Sequence, residues 1–210
     1  MTKKEFLTLQ ESLLPELPGF IARGDIMYVA PATSLLRGIN FDSSGFSKEK
    51  FYVSSFVMPL CVPSQYLALT FGDRLRIGGR LDDWSTSQPR LQVDLLEAIK
   101  TQALPFLEKV KGLSEFVELI EPTCENSRSL EARGYALARL GRSTEAIQTF
   151  RALLKMPTEY RWEIDLAEQG ASLLTVLEQD PRQAKELVIN IEKETKRNLK
   201  LPELVSRQTT

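Results

Sequence analysis

FYVSSFVMPLCVPSQY, Phe51 to Tyr66, is the most hydrophobic stretch of the chain, and two prolines interrupt it. In an extended backbone, Phe51, Val53, Ser55 and Val57 share one face, and Tyr52, Ser54, Phe56 and Met58 share the other. Both faces are mainly apolar, which predicts a central strand covered on both sides. Proline has no N–H to give to a ladder, so Pro59 marks the end of that strand or a bulge. Leu60-Cys61-Val62 then leaves the sheet and Pro63-Ser64 turns the chain. YLALTF, Tyr66 to Phe71, is expected to return as a further strand.

The sequence before this stretch supplies the rest of a sheet. Thr2 to Leu14 reads as an amphipathic helix. Thr2 and Glu5 are spaced as a capping box, Phe6, Leu9 and Leu13 lie on one face, and Pro15 and Pro18 stop it. Short β-branched and aromatic segments follow at Phe20–Arg23, Ile26–Ala30 and Leu35–Phe41. Gly24-Asp25 makes a hairpin of the first two, and Phe41 to Gly45 reads as a turn. After the polar run FGDRLRIGGRLDDWSTSQPR, Phe71 to Arg90, a helix begins at Leu91. It is kinked or restarted at Pro105 and closed by Gly112. Ser114 is expected to cap a short helix that ends at Pro122.

Beyond Ser127 only helical periodicity is found. SLEARGYALARLGRSTEAIQTFRALLKM, Ser129 to Met156, is a helical hairpin broken at Gly141. Trp162–Leu177 and Pro181–Leu199 form a further pair, the last helix opened by Asp180 as N-cap and Pro181 at its first position. The Ser129–Met156 hairpin resembles a tetratricopeptide repeat. Gly134 stands inside its first helix, Gly141 at its end, Glu145-Ala146-Ile147 in the second helix and Phe150 four residues after the alanine. Leu137 replaces the family's aromatic in the first helix, and the closing proline is displaced to Pro157. A weaker copy centres on Ala184, at a spacing wider than the family's period of about 34 residues. The resemblance implies protein binding through helical faces. The first 110 or so residues look similar to bacterial domains of unknown function and imply no mechanism. The expected fold is therefore α+β. An N-terminal antiparallel sheet with flanking helices spans 1–122, an all-helical tetratricopeptide-like region spans 123–201, and 202–210 form a polar tail.

Composition narrows the function. The 210 residues carry 27 basic and 28 acidic side chains, evenly divided between the two halves, so bulk charge supports neither a nucleic-acid nor a membrane footprint. No run of about 18 apolar residues occurs, and the N-terminus lacks the apolar centre of a signal peptide. Two distant cysteines, Cys61 and Cys124, make no disulfide framework and point to a reducing cytoplasm. There is no histidine, which removes Ser-His-Asp and Cys-His catalysis and the usual imidazole metal ligands. Neither a cofactor nor a metal is expected: Asp82-Asp83 lacks a ladder of further acids, and Cys61 reads as a buried small hydrophobe.

The candidate binding residues fall in two places. Arg37 and Asp42 flank a strand-turn, five residues apart and so on opposite faces of an ideal strand. Asp73, Arg74, Arg76, Arg80, Asp82, Asp83 and Trp84 form the densest polar cluster. There the arginine forks match carboxylates or phosphates, and Trp84 is of a type that stacks on ligands or anchors interfaces. The expected function is a non-catalytic cytoplasmic bacterial module that binds another protein, as an adaptor or as an immunity protein against a toxin. The alternative is a small-molecule or nucleotide-handling enzyme, which requires Arg37, Arg74 and carboxylates to converge.

Overall fold

A computed structural model describes residues 2–78, 83–121 and 125–202. The architecture is α+β, an N-terminal antiparallel sheet followed by a helical C-terminal region. The chain forms two compact units. One comprises the residues up to Met58 together with Leu69–Lys109, and the other Pro59–Ala68 together with the residues from Val110 onward. The helical unit thus starts ahead of the boundary expected near residue 122. It also takes in the segment that leaves the sheet after Met58.

In the first unit, α1 (Lys3–Leu13) is opened by the Thr2–Glu5 box. The Glu5 backbone N–H donates to the Thr2 hydroxyl at 3.3 Å, and the Thr2 N–H to the Glu5 carboxylate at 2.6 Å. The strands are β1 (Phe20–Arg23), β2 (Ile26–Val29), β3 (Leu35–Ser43), β4 (Lys50–Pro59), β5 (Phe71–Arg74) and β6 (Trp84–Ser85). Their order is β1-β2-β3-β4-β5, with β6 also on β4. β4 is therefore central, as its two apolar faces require, and it ends at Pro59. The β1–β2 hairpin pairs Arg23 with Ile26 across Gly24-Asp25.

Two expectations fail here. β3 continues to Ser43, so Asp42 lies in a strand and not in a turn. Residues 66–70 form no strand, and pairing with β4 starts only at Phe71. β-Forming side chains do not make a strand without a partner backbone.

The core of this unit lies on the sheet face that carries Met27, Ile39, Phe41, Phe51 and Val53, packed with Phe6, Leu9 and Leu13 of α1. The Phe6 ring meets Phe51 edge-on at 5.7 Å and Phe41 at 6.0 Å, geometries that aromatic quadrupoles favour. α2 (Leu91–Ala98) completes this layer with Leu95. A five-residue π-helical turn, Ile99–Ala103, then leads into α3 (Leu104–Lys109). Pro105 explains the turn: it has no N–H to donate, and its ring would strike the carbonyl four residues back in a regular helix.

The second unit contains α4 (Leu113–Ile120), α5 (Ser127–Leu140), α6 (Ser143–Leu153), α7 (Arg161–Gln179) and α8 (Pro181–Asn198). The Gly112 N–H, not Ser114, opens α4 by donating to the Glu115 carboxylate at 3.0 Å. Asn126 caps α5, and Asp180 caps α8 through two N–H groups. Gly141, at φ 80°, closes α5. Its own N–H donates to the Ala138 carbonyl, and that of Arg142 reaches back to Leu137, the double bond that a left-handed glycine makes possible. α5 packs against α4, α6, α7 and α8. Phe150 of α6 organises this packing. Its ring lies so close to Gly134 of α5 that a Cβ there would sit 2.7 Å from the ring. A Cβ at Gly170 of α7 would sit 3.3 Å from it. Tyr135 meets the same ring edge-on at 5.5 Å and 87°.

Gly134→Ala is predicted to lower stability by about 1 kcal/mol or more despite alanine's better helix propensity, because the ring is hemmed in. In urea titrations the loss should be smaller when Phe150 is first trimmed to Leu. Strictly additive losses would refute the contact's role.

Candidate functional site

The edge of the sheet gathers part of the polar cluster. Arg74 pairs with Ser54 in the ladder, and its guanidinium lies over the Tyr52 ring, 4.1 Å from the centroid. The Leu75 N–H donates to the Val53 carbonyl at 2.8 Å. By antiparallel alternation the Arg74 N–H therefore points away from β4. The Asp73 carboxylate accepts that N–H at 2.9 Å. An acid folded onto an outward backbone donor blunts a sheet edge against unwanted pairing. Gln102 treats the next residue in the same way, its amide accepting the Arg76 N–H at 2.8 Å and donating to the Arg76 carbonyl at 2.9 Å. Gln102 lies in the π-helical turn, so the irregularity beside Pro105 carries a side chain that substitutes for a neighbouring strand.

Asp73, Arg74 and Arg76 thus come together, lining a depression of about 560 Å3 with Ser55, Gln102 and Phe106. A second depression of about 460 Å3 is bordered by Arg76, Trp84, Asp94, Glu97 and Gln102. Trp84 is only 1% exposed. It pairs with Phe51 and belongs to the core of this unit, and its buried indole N–H has no hydrogen-bond partner among the described residues. The ring therefore offers no open face on which a ligand could stack. A two-residue strand against β4 turns the ring inward.

Arg37 and Asp42 are not part of this group. Arg37, half-buried on β3, donates to the Leu107 carbonyl at 2.8 Å, where a cation satisfies the carbonyl end of α3. Asp42 is exposed on the other face of β3. Asp83 pairs with Lys50 at 3.4 Å. Arg80, Asp82 and Cys124 lie outside the described residues. Among the described residues, no group of three His, Cys, Asp or Glu side chains is placed to hold a metal ion.

The helical unit contains a second polar group that the sequence analysis did not single out. Glu131, Tyr135 and Arg139 recur every four residues and so share one face of α5. All three are buried or half-buried. The Glu131 carboxylate is 5% exposed and touches Arg128 at 3.4 Å. Arg128 also lies over the Trp162 ring at 5.0 Å. Burial pushes the Glu131 carboxyl up to about 7 against the pull of Arg128. Glu192 of α8, 8% exposed, is held by Arg139 at 2.9 Å and Lys196 at 2.7 Å. Beside them Cys61 is fully buried. Burial and the Glu192 carboxylate raise its thiol well above the usual range, so it remains protonated and unreactive, as its apolar setting in the sequence implied.

A carboxyl whose folded pKa exceeds its unfolded value stabilises the fold most at low pH, and that stabilisation is lost as pH rises through 7. Glu131→Gln is therefore predicted to be more stable than the parent at about pH 8, by about 1–3 kcal/mol, and to lose most of that advantage by pH 5. Urea midpoints at the two pH values test this. A pH-independent difference would refute the burial argument.

Compared with known proteins, the chain matches no family model, no curated protein sequence and no solved structure.

Proposed function

We propose that this chain is a non-catalytic, cytoplasmic bacterial protein that binds another protein, as an adaptor or as an immunity protein against a toxin. Its Asp73–Arg74–Arg76 rim serves as a contact surface, and its α5–α6 hairpin as a tetratricopeptide-like element. The observation that carries this reading is how the arginines and acids of the sheet are engaged. Arg37 is committed to a helix carbonyl, Asp73 to a backbone N–H and Arg74 to an aromatic ring. By strand alternation Arg37 and Arg74 lie on opposite faces of the sheet. The enzymatic alternative drew on their convergence and has lost that support. Arginine stacked on a half-buried tyrosine suits a protein contact, since both residue types are enriched at interface centres. The close approach of Phe150 to Gly134 supports the repeat-like reading, because small residues opposite an aromatic are what the resemblance rests on.

Arg74 and Arg76 are both exposed, so Arg74→Ala/Arg76→Ala should fold as the parent does. Quantitative affinity capture from the cell of origin is predicted to recover one near-stoichiometric protein with the parent chain. Recovery with the double variant should fall at least about tenfold, the scale of one interface hot spot. Recovery of no specific protein, or turnover of a nucleotide by the purified chain, would overturn the proposal.

A further inference from the structure

The segment that leaves the sheet at Pro59 enters no ladder and no helix. It is nevertheless held. Thr195 Oγ1 of α8 donates to the Val62 carbonyl at 3.0 Å, and Asn198 Nδ2 donates to the Ser64 carbonyl at 3.1 Å. Residues three apart on a helix share a face, so one face of α8 presents two donors to two carbonyls of one short turn. That turn is closed by the Val62 N–H on the Pro59 carbonyl. Leu60 and Cys61 are fully buried, and Cys61 faces charges from both helices, Arg139 of α5 and Glu192 of α8. Past Ser64 the character changes abruptly: Tyr66 is 78% and Leu69 41% exposed. A hollow of about 240 Å3 runs on beside Ser64 and Gln65, walled by Gln169, Ile191, Glu194 and Asn198.

Hydrogen bonds to a peptide's main chain give affinity and pockets for its apolar side chains give specificity, and both are present here. We propose that the face shared by α5 and α8 is a peptide-binding groove. It takes a proline-bracketed apolar turn of the kind Pro-Leu-Cys-Val-Pro-Ser, and the chain's own Pro59–Ser64 occupies it. This rests on the protein-binding reading of the helical unit and adds a condition to it. A partner that acts through this face must carry such a turn and displace the resident one, so the helical surface is occupied in cis until that happens. Proline at both ends lowers the entropy of the free turn, which makes it a ready competitor.

The full chain with Cys124→Ser leaves Cys61 as its one thiol, and a disulfide reagent under native conditions then reports docking of the turn. Labelling should be slow in this parent. Thr195→Val/Asn198→Ala removes the two donors with little change of shape and should accelerate labelling about 10- to 30-fold, at unchanged helical circular dichroism. A second arm uses Cys61→Asp, whose charge beside Glu192 should expel the turn while leaving the groove intact. A fluorescent synthetic peptide of residues 58–66 is expected to bind that variant at least tenfold more tightly than the parent. Rapid labelling of the parent, labelling unchanged by the double substitution, or equal peptide binding by variant and parent would each overturn the proposal. If Cys61→Asp does not fold, the labelling arm decides alone. Failure to capture a cellular partner would count against the protein-binding reading while leaving the cis occupancy standing.

Discussion

A strand needs an N–H at every second residue, and Pro59 has none to give. That constraint sets the course of the chain. β4 is apolar on both faces and central in its sheet; ended at Pro59, it hands a buried Leu60-Cys61 pair to a segment without ladder partners. Carbonyls that leave a ladder take other donors. Thr195 and Asn198 supply them for Val62 and Ser64 from α8. What a longer strand would have done with main-chain bonds, a helix does with side chains, and the result has the form of a bound peptide.

The same substitution of side chain for ladder recurs at the sheet edge, where Gln102 brackets Arg76 and Asp73 closes the outward N–H of Arg74. The edge of β5 is thereby finished, and what it presents outward is charge and one tyrosine face in place of open backbone. A surface of that kind is blunted against templating the strands of another chain. In the helical unit, Phe150 does the organising. One ring fills the gap that two glycines leave, and α5, in contact with α4, α6, α7 and α8, is placed by it. The cost of the arrangement lies in the buried acids. Glu192 has two cations to hold it, whereas Glu131, met by Arg128 at 3.4 Å, is buried deeply enough to lose much of its acidity.

What was legible in the sequence was what local chemistry decides. The Thr2 box, the Gly24-Asp25 hairpin, the strand end at Pro59, the Asp180-Pro181 helix start and the Gly141 stop each depend on residues within a few positions of one another. Tyr66–Thr70 misled because propensity alone cannot supply a partner strand. Ser114 misled because Glu115 is better placed to take the Gly112 N–H. Trp84 read as a residue that stacks on a ligand or anchors an interface, and its polar neighbours hid the two-residue strand that turns it inward. The Gln102–Arg76 bracket and the Thr195–Val62 bond join residues 26 and 133 positions apart, and no local pattern signals either. Glu131, Tyr135 and Arg139 were visible as a row at helical spacing. Such rows of polar residues usually face water, and only the fold turns this one inward.

Hydrogen exchange along residues 59–70 tests the account most directly, since docking and solvation differ within a few residues. The amides of Cys61 and Val62 are predicted to exchange as slowly as the buried core of α8, while those of residues 66–70 exchange freely. Exchange of Cys61 and Val62 at the rate of residues 66–70 would mean that the turn is not held, and the groove assigned to α5 and α8 would be contradicted.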